Sequence, residues 1–142
     1  MALKIDGYTP ADKKIATELG TTFHYRTPYG EITIIAKMTG RDNKPFVRAF
    51  QKLQRLHTGQ ENRGEDNAEQ QNRDYAECYH DHVVIRWSTT VKSDGVELQA
   101  TRENFVDLMT SEALGPVFVE FMREAAKADN FRAVEEQAAA KN

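Results

Sequence analysis

Apolar and polar residues in the first forty positions form two strand-like runs around a turn. Residues 21–27 and 31–38 are rich in β-branched and aromatic side chains, and Pro28-Tyr29-Gly30 stands between them. This order predicts a β-hairpin. A lone hairpin is marginal in water, so we expect it to pack on another element.

Patterns on either side of the hairpin predict two amphipathic helices. TPADKKIATELG predicts a short one, with Thr9 as the N-cap and with Ile15 and Leu19 as a narrow apolar stripe. NKPFVRAFQKLQRLHTG predicts a longer one that ends at Gly59 and carries basic residues opposite its apolar stripe. The apolar positions of this stripe recur at i, i+4, i+7 and i+10: Phe46, Phe50, Leu53 and Leu56.

A polar stretch follows, and a helical pattern then returns. Residues 58–68 are almost wholly polar and predict a loop. From Ala68 onward, apolar residues recur near helical spacing through Tyr75 and Cys78 to Ile85. The run VVIRW is rich in β-branched residues and also suits a strand, but the continued spacing favours a helix.

The last third of the chain predicts a turn and two helices. Ser93-Asp94-Gly95 predicts the turn, and Thr101 is placed to cap the first helix. A longer helix is predicted over residues 116–128. Its apolar face consists of Val117, Phe118, Phe121, Met122 and Ala125. Residues 132–142 contain strong helix formers but little to bury, so they either dock as a helix or fray.

These elements predict one α+β domain over residues 1–142, with a small β-hairpin near the N-terminus packed on a mainly helical body. A chain of 142 residues can bury a core without disulfides or metal ions, and its single cysteine suits a reducing cytoplasm. The formal net charge of −3 argues against a binder of bulk nucleic acid. No run approaches the roughly 18 apolar residues of a membrane span, so we expect no membrane partner.

The segment ECYHDHVVIRW raises the question of a metal site, because it holds one cysteine and two histidines. Cys78 and His82 share a face on a helix, whereas His80 and His82 share one on a strand. Either arrangement supplies two ligands, but a structural zinc site needs four, and His24 and His57 lie in unrelated segments. We therefore expect packing residues here, with no metal or other cofactor. The sequence also lacks a phosphate-binding loop and a nucleophile elbow, so we expect no enzyme.

The phenylalanines and methionines on the helical stripes indicate a different function. Most of them belong to the core, yet several short amphipathic helices around a hairpin can leave a groove. Flexible methionines suit a groove that receives another helix. The residues taken by themselves thus predict an α+β binding protein with an unknown partner.

The order of the segments adds a family resemblance. FHYRTPYGEITIIAKM leads into the basic helix NKPFVRAFQKLQR. The lone Trp87 is followed by an acidic-glycine turn at Asp94-Gly95 and a capped helix with Glu103-Asn104, and KN ends the chain. Over most of residues 21–142, this order resembles the tail assembly chaperones of long-tailed, siphovirus-like bacteriophages. Arg86 stands where such proteins usually carry a glycine.

The resemblance implies a non-enzymatic role in the host-cell cytoplasm. Such chaperones coat the tape measure protein and help recruit tail tube subunits, so these two proteins are the implied partners, and self-association stays open. The residues selected for partner contact, each with core packing as its alternative, are Trp87, Phe105, Met109, Phe118 and Met122. The alternatives are a minor virion protein of the tail completion or connector type, and a small metal-binding protein that uses Cys78, His80 and His82.

Overall fold

The computed structural model describes residues 3, 5–65 and 67–132. Within them it contains a three-stranded antiparallel sheet with its second strand in the centre, four α-helices and a small second hairpin. The sheet consists of β1 (Thr21–Thr27), β2 (Gly30–Ala36) and β3 (Val84–Thr89). The small hairpin pairs β4 (Lys92–Ser93) with β5 (Val96–Glu97). The helices are α1 (Lys44–Asn62), α2 (Ala68–His82), α3 (Arg102–Met109) and α4 (Gly115–Ala125). In this part of the chain no helix has the length and apolar character needed to cross a membrane.

The predicted α+β architecture is confirmed, with an N-terminal hairpin against a mainly helical body. β1 and β2 pair along their whole length and are joined by the two-residue turn Pro28-Tyr29. Gly30 begins β2 with a φ of 141°, and a Cβ at this position would lie 2.9 Å from Val91 N. Both the backbone conformation and the close contact therefore require glycine.

The third strand shows that the predicted helix through Ile85 is wrong. α2 ends at His82, and the residues from Val84 onward pair with β2. Past a bulge in this pairing, Lys37 N–H donates to Val83 C=O at 2.8 Å. Strand pairing satisfies the backbone hydrogen bonds and suits the β-branched side chains, and this tertiary contact outweighs the helical spacing.

α1 is longer than predicted, and the loop after it is shorter. Asn43 caps its start, since Asn43 Oδ1 accepts a hydrogen bond from Phe46 N–H at 3.3 Å. The helix continues through Gly59, its predicted end, to Asn62, so the loop predicted over residues 58–68 is wrong in its first half. A single glycine costs a helix only about 1 kcal/mol relative to alanine, which is too little to end it here.

The short N-terminal helix is capped by Asp12. The prediction of Thr9 as its N-cap is therefore wrong. Ile15 N–H donates to Asp12 Oδ1 at 3.1 Å. The last five residues form a π-helical turn, whose wider winding buries Ala16 and leaves Leu19 exposed. The predicted apolar stripe is therefore wrong at Leu19.

The hydrophobic core lies between the sheet and the helices. Phe131, its most C-terminal aromatic residue in the described part of the chain, lies after α4. Helix α2 packs against α1, α3 and β3. α4 ends at Ala125, three residues before the predicted end, and a 3₁₀ turn over Ala128–Phe131 follows. Phe23 of β1 contacts both Phe121 and Phe131, with ring centroids 5.9 Å apart in each pair. The two alternatives predicted for the tail concern residues 133–142, which lie outside the described residues.

Candidate partner-binding groove

A groove with a cavity volume of about 350 Å³ lies between α2 and the α3–α4 pair. Its apolar lining consists of Tyr75, Met109, Phe118, Val119 and Met122. Its polar rim includes Asn72, Thr110, Ser111 and Glu112. Three of the five residues predicted for partner contact are therefore brought together here.

The lining residues differ in how far they reach the surface. Met109 and Phe118 form the floor, where the Phe118 ring packs edge-on against Tyr79 with centroids 5.5 Å apart. Val119 is 57% exposed, and Met122 is half-buried. An incoming apolar side chain thus meets Val119 and Met122 first, and we call these two residues the lip of the groove.

Val119 was missed by the sequence analysis. Around the helix axis, Met122 is the edge of the apolar face predicted for α4, and at 100° per residue Val119 lies about 60° beyond that edge. An apolar residue on the otherwise polar side of an amphipathic helix was the signal that could have identified it.

Trp87 and Phe105 lie away from the groove, in the core beside the sheet. Their rings pack edge to face with centroids 5.6 Å apart, and Trp87 stands opposite Ile34 in the pairing of β3 with β2. The buried Trp87 Nε1–H has no hydrogen-bond partner within the described ranges. The structure gives both residues a packing role, and their contact with a partner stays a prediction.

Cys78, His80 and His82 are not grouped as metal ligands. Cys78 is buried and lines a cavity next to α1, whereas the His80 ring packs on Phe105 with centroids 5.4 Å apart. Among the described residues, no three His, Cys, Asp or Glu side chains are placed to hold a metal ion together. Burial, and then the Asp81 carboxylate, raise the pKa of the Cys78 thiol to about 11. At neutral pH this thiol is protonated and a poor nucleophile.

A polar cluster around the buried His57, also missed from the sequence, supports one wall of the groove. His57 Nε2 lies 3.0 Å from Asp74 Oδ2, and His57 Nδ1 lies 3.1 Å from the Tyr75 hydroxyl oxygen. Because a carboxylate only accepts, His57 Nε2–H donates to Asp74, and Nδ1 accepts from the Tyr75 hydroxyl. Burial, followed by Glu61 and Asp74, raises the pKa of Tyr75, so its hydroxyl keeps the proton that it donates. The signal was the position of His57, which continues the apolar stripe of α1 four residues after Leu53.

Comparison with known proteins places these features in a family context. The family model described as YdaY prophage protein matches residues 41–142. The matched part includes all four helices, β3 and every residue that lines the groove. No curated protein and no solved structure matches the chain.

Proposed function

The chain belongs to the YdaY prophage protein family, and from this premise we propose that it is a tail assembly chaperone acting in the host-cell cytoplasm. Family membership makes it a phage-derived protein. The proposed partner is the tape measure protein, with the tail tube protein as a second one. The order of segments along the sequence and the groove between α2 and α4 together support this function.

The groove is the observation that carries the proposal. The lip, with Val119 exposed and Met122 half-buried, and the buried floor of Met109 and Phe118 make a concave apolar surface. Such a surface suits the apolar face of an amphipathic helix, which binds through side chains three and four residues apart. Methionine side chains adapt to ligands of different shape, which suits binding to many segments of one long helical protein.

The size of the groove supports weak binding by each copy. A cavity of about 350 Å³ accommodates a few side chains, so each copy buries little apolar area. Many weak contacts along one tape measure protein would cover it collectively. Each copy could still leave as tail tube subunits replace it.

A charge placed on the lip tests this proposal. We expect Val119→Glu to abolish capture of a helical ligand, because a carboxylate would have to be buried against an apolar face. Glutamate has a higher helix propensity than valine, so α4 should remain folded. The assay is co-expression with the tape measure protein of the same prophage, followed by measurement of the soluble tape and of its co-purification with this chain.

Val96→Glu is the matched control, because Val96 is also exposed but lies on the small hairpin, outside the groove. The proposal requires that wild-type and Val96→Glu chains keep the tape measure protein soluble and that Val119→Glu does not. A soluble complex with Val119→Glu would exclude the groove as the contact surface. An insoluble tape with the wild-type chain would contradict the chaperone function itself.

A further inference from the structure

The exposed side of α1 carries four basic residues on successive turns. They are Lys44, Arg48, Lys52 and Arg55, and we call them the basic face of α1. Their spacing of four, four and three residues places them within a sector of about 80° and along about 16 Å of helix. The buried Phe46 lies on the opposite side. Residues 43–60 include no acidic residue, so the face has a single sign of charge.

The basic face forms no ion pairs with the carboxylates of the described residues. On the neighbouring helices, by contrast, Arg73 pairs with Asp107 and Arg102 pairs with Asp81, each at 2.9 Å. The charge of the basic face therefore remains available to an external partner.

This arrangement is unfavourable for the helix that carries it. Lys44 lies in the first turn, where the helix dipole favours negative charge. Lys44 and Arg48, and then Arg48 and Lys52, are like charges four residues apart, which repel each other on a helix surface. A local rule broken without a compensating contact in the structure is typical of a functional surface.

A cavity of about 360 Å³, apolar on the side of α1 and charged on its far wall, borders the basic face. It lies between α1 and α2, and its apolar lining includes Ala49, Leu53, Leu56 and Cys78. Leu56 is 48% exposed, and Lys52 also lines the cavity. The basic face thus adjoins these apolar residues at Lys52, which suits a ligand that has an apolar and an acidic face.

The far wall of this cavity favours a protein over a nucleic acid. Asp74, Glu77 and Asp81 line it together with Arg102, which is already paired with Glu77 and Asp81. These carboxylates and the net charge of −3 would repel a continuous phosphate backbone. A helix can instead direct its carboxylates toward α1 and keep its other faces uncharged.

We propose that the basic face of α1 and the adjoining cavity bind an acidic amphipathic helix of a partner protein. Carboxylates three and four residues apart on the partner would face the four basic residues, and its apolar side chains would enter the cavity beside Leu53 and Leu56. This surface is separate from the groove between α2 and α4, so the inference does not depend on the proposed chaperone function.

A labelled synthetic peptide tests the inference directly. The probe is a helical peptide of about 20 residues with glutamates on one face and leucines beside them, and its binding to the full chain is measured by fluorescence anisotropy. We expect binding that weakens as salt rises toward physiological strength. Replacing all four basic residues with glutamine should weaken binding about tenfold or more, and the thermal midpoint of the variant should stay unchanged or rise.

The matched control replaces four exposed lysines elsewhere with glutamine and has the same net charge. These are Lys13, Lys14, Lys92 and Lys127. The proposal requires this control to bind the peptide within about twofold of the wild-type affinity. Equal losses in both variants, or no peptide binding by the wild-type chain, would overturn it. Tighter binding of a short DNA duplex than of the peptide would overturn it as well, because the ligand would then be a nucleic acid.

Discussion

The imidazole of His57 occupies a position that an apolar side chain would normally fill. Only 4% of its side chain is exposed, and each ring nitrogen has a partner on α2. Removing the ring would leave the Asp74 carboxylate and the Tyr75 hydroxyl without their buried partner, at a cost of about 1–3 kcal/mol in addition to the cavity. Because Tyr75 also lines the groove, the same cluster links the packing of α1 on α2 to the shape of the candidate site.

We expect His57→Ala to lower the free energy of unfolding by about 2–4 kcal/mol. Leu56→Ala is the control, because Leu56 is the preceding residue on the same helix but is half exposed, and its loss should cost no more than about 1 kcal/mol. Urea denaturation of the three proteins measures the difference. Similar losses for both variants would show that the hydrogen bonds of His57 add nothing to the packing of α1.

At the scale of elements, Asn43 joins three parts of the fold. Its Oδ1 caps α1 at Phe46 N–H, while its Nδ2 donates to His82 C=O at 2.9 Å and to Met38 C=O at 3.3 Å. One buried amide thus connects the start of α1, the end of α2 and the segment after β2. Asn67, the N-cap of α2, is exposed and makes the capping bond with Gln70 N–H.

We therefore expect Asn43→Ala to cost about 2–3 kcal/mol of stability and Asn67→Ala only about 1 kcal/mol, although both remove an asparagine N-cap. The second value is that of an ordinary cap, and the excess at Asn43 comes from the two carbonyl groups left without a donor. Chemical denaturation of the two variants gives the comparison. Equal costs would mean that the bonds to His82 and Met38 do not stabilise the folded state.

Elements governed by local chemistry were predictable from the sequence. Thr101 Oγ1 accepts a hydrogen bond from Asn104 N–H, as an N-cap should, and Asp94-Gly95 forms the predicted turn with φ of 51° and 79°. The segment from Val84 to Thr89 could not be assigned locally, because its strand conformation depends on pairing with β2, about fifty residues earlier. Helical periodicity continues into it by coincidence and carries no information about that partner.

The candidate site was likewise predictable only where a local sequence pattern identifies its residues. Apolar stripes on short helices imply a shared surface, and three residues predicted from these stripes line one groove: Met109, Phe118 and Met122. The prediction for Trp87 rests on its being the single tryptophan and on its place in the family pattern, and neither distinguishes a core residue from a surface residue. The basic side of α1 was visible in the sequence, but the lack of carboxylate partners became apparent only from the packing of the neighbouring helices.

At the scale of the whole molecule, the described chain closes on itself. Phe131 C=O accepts a hydrogen bond from Asp12 N–H at 2.8 Å, and Thr21 Oγ1–H donates to Asn130 C=O at 2.7 Å. The Phe131 ring is fully buried against Phe23 of the hairpin. The segment after α4 is thus part of the layer that covers β1.

We expect Phe131→Ala to lower the free energy of unfolding by about 3–5 kcal/mol, because it removes a buried aromatic ring that packs against Phe23 of the hairpin. Tyr29→Ala, at the exposed turn of the hairpin, should change stability by no more than about 0.5 kcal/mol. Thermal unfolding monitored by circular dichroism distinguishes the two. A loss below about 1 kcal/mol at Phe131 would show that the hairpin is covered adequately without it.

The burial of Phe23 beneath Phe131 also has a consequence for synthesis on the ribosome. More than a hundred residues separate the two rings along the chain, and translation at roughly 5–20 residues per second takes roughly 5–20 s to cover that distance. The hairpin can pair locally soon after it emerges, but its apolar side stays uncovered until the end of α4 and the following turn are made. During that interval the nascent chain presents the kind of exposed apolar surface that promotes aggregation, so we expect slower translation after the hairpin to increase aggregation.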